Sequence, residues 1–210
     1  KTYIVKDADG SLLGVFYSDY MPRASKRSGA WMSNFREQQE GVRPLIYNVA
    51  SFTKPAGDLP SLLTIDEART MYHEFGHALH GLLTQCKYKG VSGTSVAQDF
   101  VELPSQIMEN WLTEKEFLNQ IAIHYQTGEK IPQEIIQKLI DASNYNIGYQ
   151  CCRQLSFRML DMAWHTLRQP YEGDVVAFEQ ASMAPAQVLP VVDGTAMAPS
   201  FGHIFSGGYA

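Results

Sequence analysis

The sequence has only three cysteines in 210 residues, Cys86, Cys151 and Cys152. The number is odd and two are adjacent, where a bridge would be strained, so a disulfide framework is excluded and all three read as thiols. There is no CxxC pair and no spaced Cys/His ladder, which argues against a structural zinc site of the finger type. Basic residues are scarce as well: 17 Lys+Arg stand against 22 Asp+Glu, for a net charge of -5, with no block of like charge. Nucleic-acid surfaces and anchors for anionic membranes need the opposite balance. No apolar run approaches the roughly 18 residues of a membrane span, and the opening KTYIVKDADG lacks the pattern of a signal peptide. Charged residues make up 19% and hydrophobic residues 45%, which excludes a disordered tail and predicts a chain able to build a core.

What is present falls into a β part and a helical part. TYIVK and LLGVFYS flank the polar, glycine-ended Asp7-Ala8-Asp9-Gly10, which predicts a hairpin. PLIYNVASF, from Pro44 to Phe52, reads as a further strand, and its backbone edge is a candidate for strand addition by an extended peptide. The polar stretch from Met21 to Val42 reads as loop or edge. From Leu63 the periodicity turns helical. Thr64-Ile65-Asp66-Glu67 has the form of a capping box, so a helix is expected from Ile65 to about Cys86. A second helix should include Glu102 to Leu112, with Pro104 in its first turn, where amide hydrogens lack partners. Helical stretches follow from Pro132 to about Leu167, broken near Asn144 to Gly148, and from Asp174 to Met183. Residues 184–210 read mainly as loop.

The chemistry concentrates in MYHEFGHALH, Met71 to His80. His73 and His77 stand four residues apart, so on a helix both imidazoles project from one side and can hold one ion. Glu74 is turned about 100° from His73, beside such an ion, where a general base for the attacking water belongs. Tyr72, Phe75, Leu79, Leu82 and Leu83 form an apolar stripe on the other side, which would leave the histidine face available. Gly76 costs a helix about 1 kcal/mol relative to alanine, which makes sense if something must approach the backbone closely. A catalytic zinc site usually has three protein ligands. His80 lies more than about 10 Å along the axis from His73 and is a poor third. The carboxylates of the next helix, Glu102 and Glu109, are the plausible donors, one binding metal and the other supporting a ligand.

HEFGHALH, SGTSVAQDFVELPSQIMENW and GHIFSGGYA, in that order, resemble the catalytic region of the thimet-oligopeptidase family of zinc peptidases, and the likeness extends through the strand segments. The resemblance implies one zinc ion held by His73, His77 and Glu102, with Glu109 behind them and Glu74 as general base. It implies that His203 and Tyr209 contact the peptide and the developing oxyanion. Phe100 is a candidate pocket wall, weighed against a role in core packing. Gln98 departs from the arginine that members often carry there, so a charge contact to substrate is not expected at that position.

The implied fold is mainly α (α+β): a zincin-like core with a small N-terminal β-sheet (1–59), a helical zinc-binding part (60–183) and a truncated substrate loop (184–210). With no initiating methionine at Lys1 and a loop interrupted at Ala210, the chain is expected to be the core of a larger, neurolysin-like two-lobed helical peptidase. The implied substrates are short peptides, with no nucleic acid or membrane partner, and the whole enzyme is expected to be a monomer. Its compartment would be the cytoplasm, or the periplasm if a targeting segment precedes. SGT running into DFVE without insertion, and the six-residue step from His203 to Tyr209, are more similar to the bacterial peptidyl-dipeptidases than to the oligopeptidase A branch. Two rivals are a non-catalytic zinc-binding domain, which has no use for Glu74, and a zinc aminopeptidase, for which no GxMEN-like acidic cluster precedes the helix.

Overall fold

The computed structural model describes residues 1–206, which form an α+β structure in two compact units, Lys1–Ile136 and Gln137 onward. Four strands open the first unit: β1 (Thr2–Lys6), β2 (Leu12–Asp19), β3 (Trp31–Arg36) and β4 (Leu45–Val49). They form one sheet in the order β1-β2-β4-β3. The hairpin turns where expected, with Gly10 at φ 86°, a left-handed conformation that glycine adopts without steric cost. β2 and β4 pair in parallel, while β3 pairs antiparallel to β4.

This topology corrects one expectation. The PLIYNVASF strand has no free edge over Leu45–Val49, because β2 covers one side and β3 the other. The outer strands are β1 and β3, and β3 lies inside the stretch read as loop or edge.

Helix α1 (Ile65–Leu83) lies on one face of the sheet. Its capping box forms as expected: Glu67 N donates to Thr64 Oγ1 at 3.2 Å, and Thr64 N donates to Glu67 Oε2 at 2.9 Å. Phe16 and Ile46 pack against Ala78 and Leu82, with Val5, Met32 and Phe75 at the margin. The helix stops at Leu83, before the expected Cys86, and long-range contacts account for this. The Arg43 guanidinium donates to the carbonyls of Leu13, Leu82 and Thr84, satisfying acceptors at the helix end. The buried Gln38 side chain then exchanges hydrogen bonds of 2.8 Å with both Cys86 N and Cys86 O, which ties that backbone to a side chain instead of to a further helical turn.

Two short helices follow, α2 (Leu103–Glu109) and α3 (Lys115–Ile121), and Pro104 sits in the first turn of α2. α4 (Gln133–Asn144) leads into α5 (Ile147–His165). The expected break between them is a left-handed Asn146, φ 60°, a conformation asparagine tolerates better than most residues. In the second unit α5 packs with α6 (Val175–Met183), and α7 (His203–Ser206) closes the described chain. Leu160, Ala198 and Ile204 form its core with Trp164, Met183, Met197 and Phe201. No helix among the described residues is long and apolar enough to cross a membrane.

Candidate metal centre

The centre is made where α2 crosses α1. A Cβ built on Gly76 would stand 2.5 Å from Pro104 O and 2.6 Å from Ser105 Cα, so only glycine lets the two backbones approach this closely. α2 therefore packs along this side of α1 at Gly76, while the His73 side chain stays 26% exposed. Of the apolar stripe Leu82 is buried, Leu83 is exposed, and Tyr72 packs edge-on against Phe117 of α3.

Burial under α2 brings three side chains together. His73, His77 and Glu102 each offer a ligand atom, all within 4.8 Å of one another. The Nε2 atoms of His73 and His77 lie 3.2 and 3.1 Å from the same oxygen, Glu102 Oε2. Glu102 is the N-cap residue of α2, so its side chain leaves the helix at the end nearest the imidazoles. Glu109, seven residues on, accepts from His73 Nδ1 at 2.7 Å. An ionised carboxylate only accepts, so Nδ1 is the donor of this pair, and the ring is held with Nε2 facing the centre.

Glu74 is buried beside these groups, and its Oε2 has no hydrogen-bond partner among the described residues. Burial pushes its carboxyl above the usual range; the nearby His73 and the backbone amide of Met32 in β3 act the other way, and the Glu102 charge adds to the rise. Burial likewise pulls His77 down, against the pull of Glu102, which favours the neutral imidazole that a metal requires. Two imidazole nitrogens, one carboxylate oxygen and a carboxyl held beside them are a donor set that suits zinc.

The other expected residues fall elsewhere. Phe100 is 46% exposed, in the turn before α2, with its ring edge-on to His80 at 6.1 Å, so it is not a core residue. His80 has a buried Nδ1 with no hydrogen-bond partner among the described residues, and burial lowers its pKa. His203 begins α7 in the second unit, 5.4 Å between ring centroids from Phe201. Tyr209 lies outside the described residues. Sequence reasoning passed over Ser105, whose hydroxyl reaches Glu102 Oε2 at 2.7 Å. Its signal was the spacing of Glu102, Ser105 and Glu109, which is i, i+3, i+7 along one helical face. The backbone of β3 beside Glu74 had no comparable signal.

Comparison with known proteins gives the family of the chain. Dipeptidyl carboxypeptidase of Escherichia coli strain K12 is 43% identical over 214 residues, which span all of this chain and 31% of that protein. Oligopeptidase A of the same organism is 40% identical over 211 residues, 97% of this chain and 31% of that protein. Thimet-like oligopeptidase of Dictyostelium discoideum is 37% identical over 211 residues, again 97% of this chain and 31% of that protein. The chain spans about a third of the length of these curated relatives. The model of Peptidase family M3 matches residues 1–210, and the chain belongs to that family.

Proposed function

We propose that the chain is the metal-bearing part of a zinc-dependent peptidase acting on short peptides, with His73, His77 and Glu102 as ligands and Glu74 as general base. The observation that carries this reading is the convergence of both Nε2 atoms on Glu102 Oε2, with the Glu74 carboxyl buried alongside. When bound, zinc would supply the Lewis acidity that polarises the scissile carbonyl and makes water a nucleophile near neutral pH.

The protein's own groups do the rest. Glu109 fixes the tautomer of His73. Glu74 takes the proton of the attacking water and passes it to the leaving amine; burial, which raises its pKa, makes it a stronger base for the first transfer. The outer edge of β3 gives an extended peptide a strand to join, and the Met32 backbone beside Glu74 puts that edge next to the chemistry. Phe100, half exposed, is a wall for a substrate side chain. The resemblance of GHIFSGGYA to the family's substrate-binding segment supports His203 and Tyr209 as donors of hydrogen bonds to the oxyanion. The whole enzyme is a two-lobed helical protein in which this chain supplies the catalytic core.

The preferred reaction is release of C-terminal dipeptides, supported by the uninterrupted SGT-to-DFVE segment and by the 43% identity to a dipeptidyl carboxypeptidase. The alternative is internal cleavage of short peptides, supported by the 40% identity to oligopeptidase A. Mass spectrometry of an amino-terminally blocked peptide incubated with zinc and the full-length protein separates them. Stepwise loss of dipeptides from the carboxyl end is expected; internal cuts would select the alternative, and no cleavage would reject the peptidase reading.

A further inference from the structure

Glu102 is held from a direction that neither histidine supplies. Ser105 is fully buried, and its hydroxyl stands 2.7 Å from Glu102 Oε2 and 2.9 Å from the Glu102 carbonyl oxygen. A hydroxyl has one proton to give, and the charged carboxylate is the stronger acceptor. Ser105 is where it is because of Gly76: its Cα occupies the space a side chain at Gly76 would need, 2.6 Å from the built Cβ position. The close approach of the two helices and the hydrogen bond to the carboxylate are therefore one arrangement.

We propose that Ser105 is a positioning residue for metal capture, holding Glu102 in the rotamer that faces His73 and His77 before an ion arrives. A free glutamate side chain samples many rotamers, and ordering them on binding weakens affinity. A carboxylate already hydrogen-bonded toward the two imidazoles has lost that freedom on folding. Glu109 performs the corresponding service for His73 from the next turn, so one face of α2 carries a ligand and the two groups that orient ligands. The inference rests on the reading of His73, His77 and Glu102 as ligands, but concerns a side chain that need not touch the ion.

The test is zinc affinity, measured by competition with a chromophoric chelator in the purified protein, with circular dichroism of the metal-free form alongside. Ser105→Ala should bind zinc with unchanged stoichiometry but about 10–100-fold more weakly, the usual cost of losing a hydrogen bond to a ligand. Its metal-free spectrum should match the parent. Ser105→Cys, close in volume with a weaker donor, should fall between the two. A Ser105→Ala affinity indistinguishable from the parent overturns the proposal. Should that variant fail to fold, Ser105→Cys decides: an intermediate affinity supports the proposal and a parental one overturns it. Glu102→Ala separates the two levels. If it binds zinc as tightly as the parent, the ligand assignment fails and the role of Ser105 fails with it; if it loses zinc while Ser105→Ala does not, only the positioning role fails.

Discussion

Glu109 Oε1 lies 2.7 Å from His73 Nδ1, across the crossing of α1 and α2. The two residues are 36 apart in sequence. The contact holds the His73 ring with Nε2 toward Glu102, so the orientation of this imidazole depends on a helix other than its own.

Glu109→Gln keeps the shape of the side chain but removes its charge. Zinc affinity should fall by about 10–100-fold, as for other groups that orient a histidine ligand. Glu102→Ala should do worse and lose stoichiometric zinc altogether. Chelator competition on both variants checks the order, and equal zinc content in the two would remove Glu102 from the ligand set.

Gly76→Ala tests whether the close crossing matters for stability. At an exposed helical site the change would gain about 1 kcal/mol. Here the new methyl would meet Pro104 O and Ser105 Cα, backbone atoms that cannot swing aside. Overpacking should win, with a net loss of about 1–3 kcal/mol in urea unfolding. An unchanged or raised urea midpoint would show that α2 can move away freely.

Asp19 gives a prediction with a pH sign. The Arg23 side chain hydrogen-bonded to it, and then Lys26, hold its carboxyl below the usual range. Its stabilising effect is present above the ordinary aspartate value near 3.9 and is lost as pH falls through the depressed folded value. The side chain is 44% exposed, so solvent screening limits the effect to about 1 kcal/mol or less. Asp19→Asn should therefore lower the melting temperature slightly at neutral pH, and the gap should close in strong acid. A gap that persists at low pH would mean that the loop from Asp19 to Lys26 depends on something other than charge.

Much of the site was legible because its signals are local. The capping box, the i, i+4 histidines and the left-handed break near Asn146 each involve a few neighbouring residues whose chemistry fixes the backbone. The tertiary consequences were not. β3, with the sequence WMSNFR, has little strand character in isolation and is held by pairing with β4. That pairing also makes β4 an inner strand, a fact its own residues do not carry. α3 is a seven-residue helix anchored by Leu118, too short for periodicity to stand out. Gly76 announced that something would come close, but not that it would be Ser105, whose hydrogen bond to Glu102 depends on how α2 seats on α1.

The central claim is that Glu74 performs proton transfer beside a metal that it does not bind. Glu74→Gln in the full-length protein, assayed for zinc content and for hydrolysis of a blocked peptide in one preparation, tests it most directly. The predicted result is a parental zinc content with hydrolysis reduced by about 10²–10⁴-fold, the usual contribution of general acid–base catalysis. Parental turnover in that variant, or loss of the zinc itself, would contradict the account.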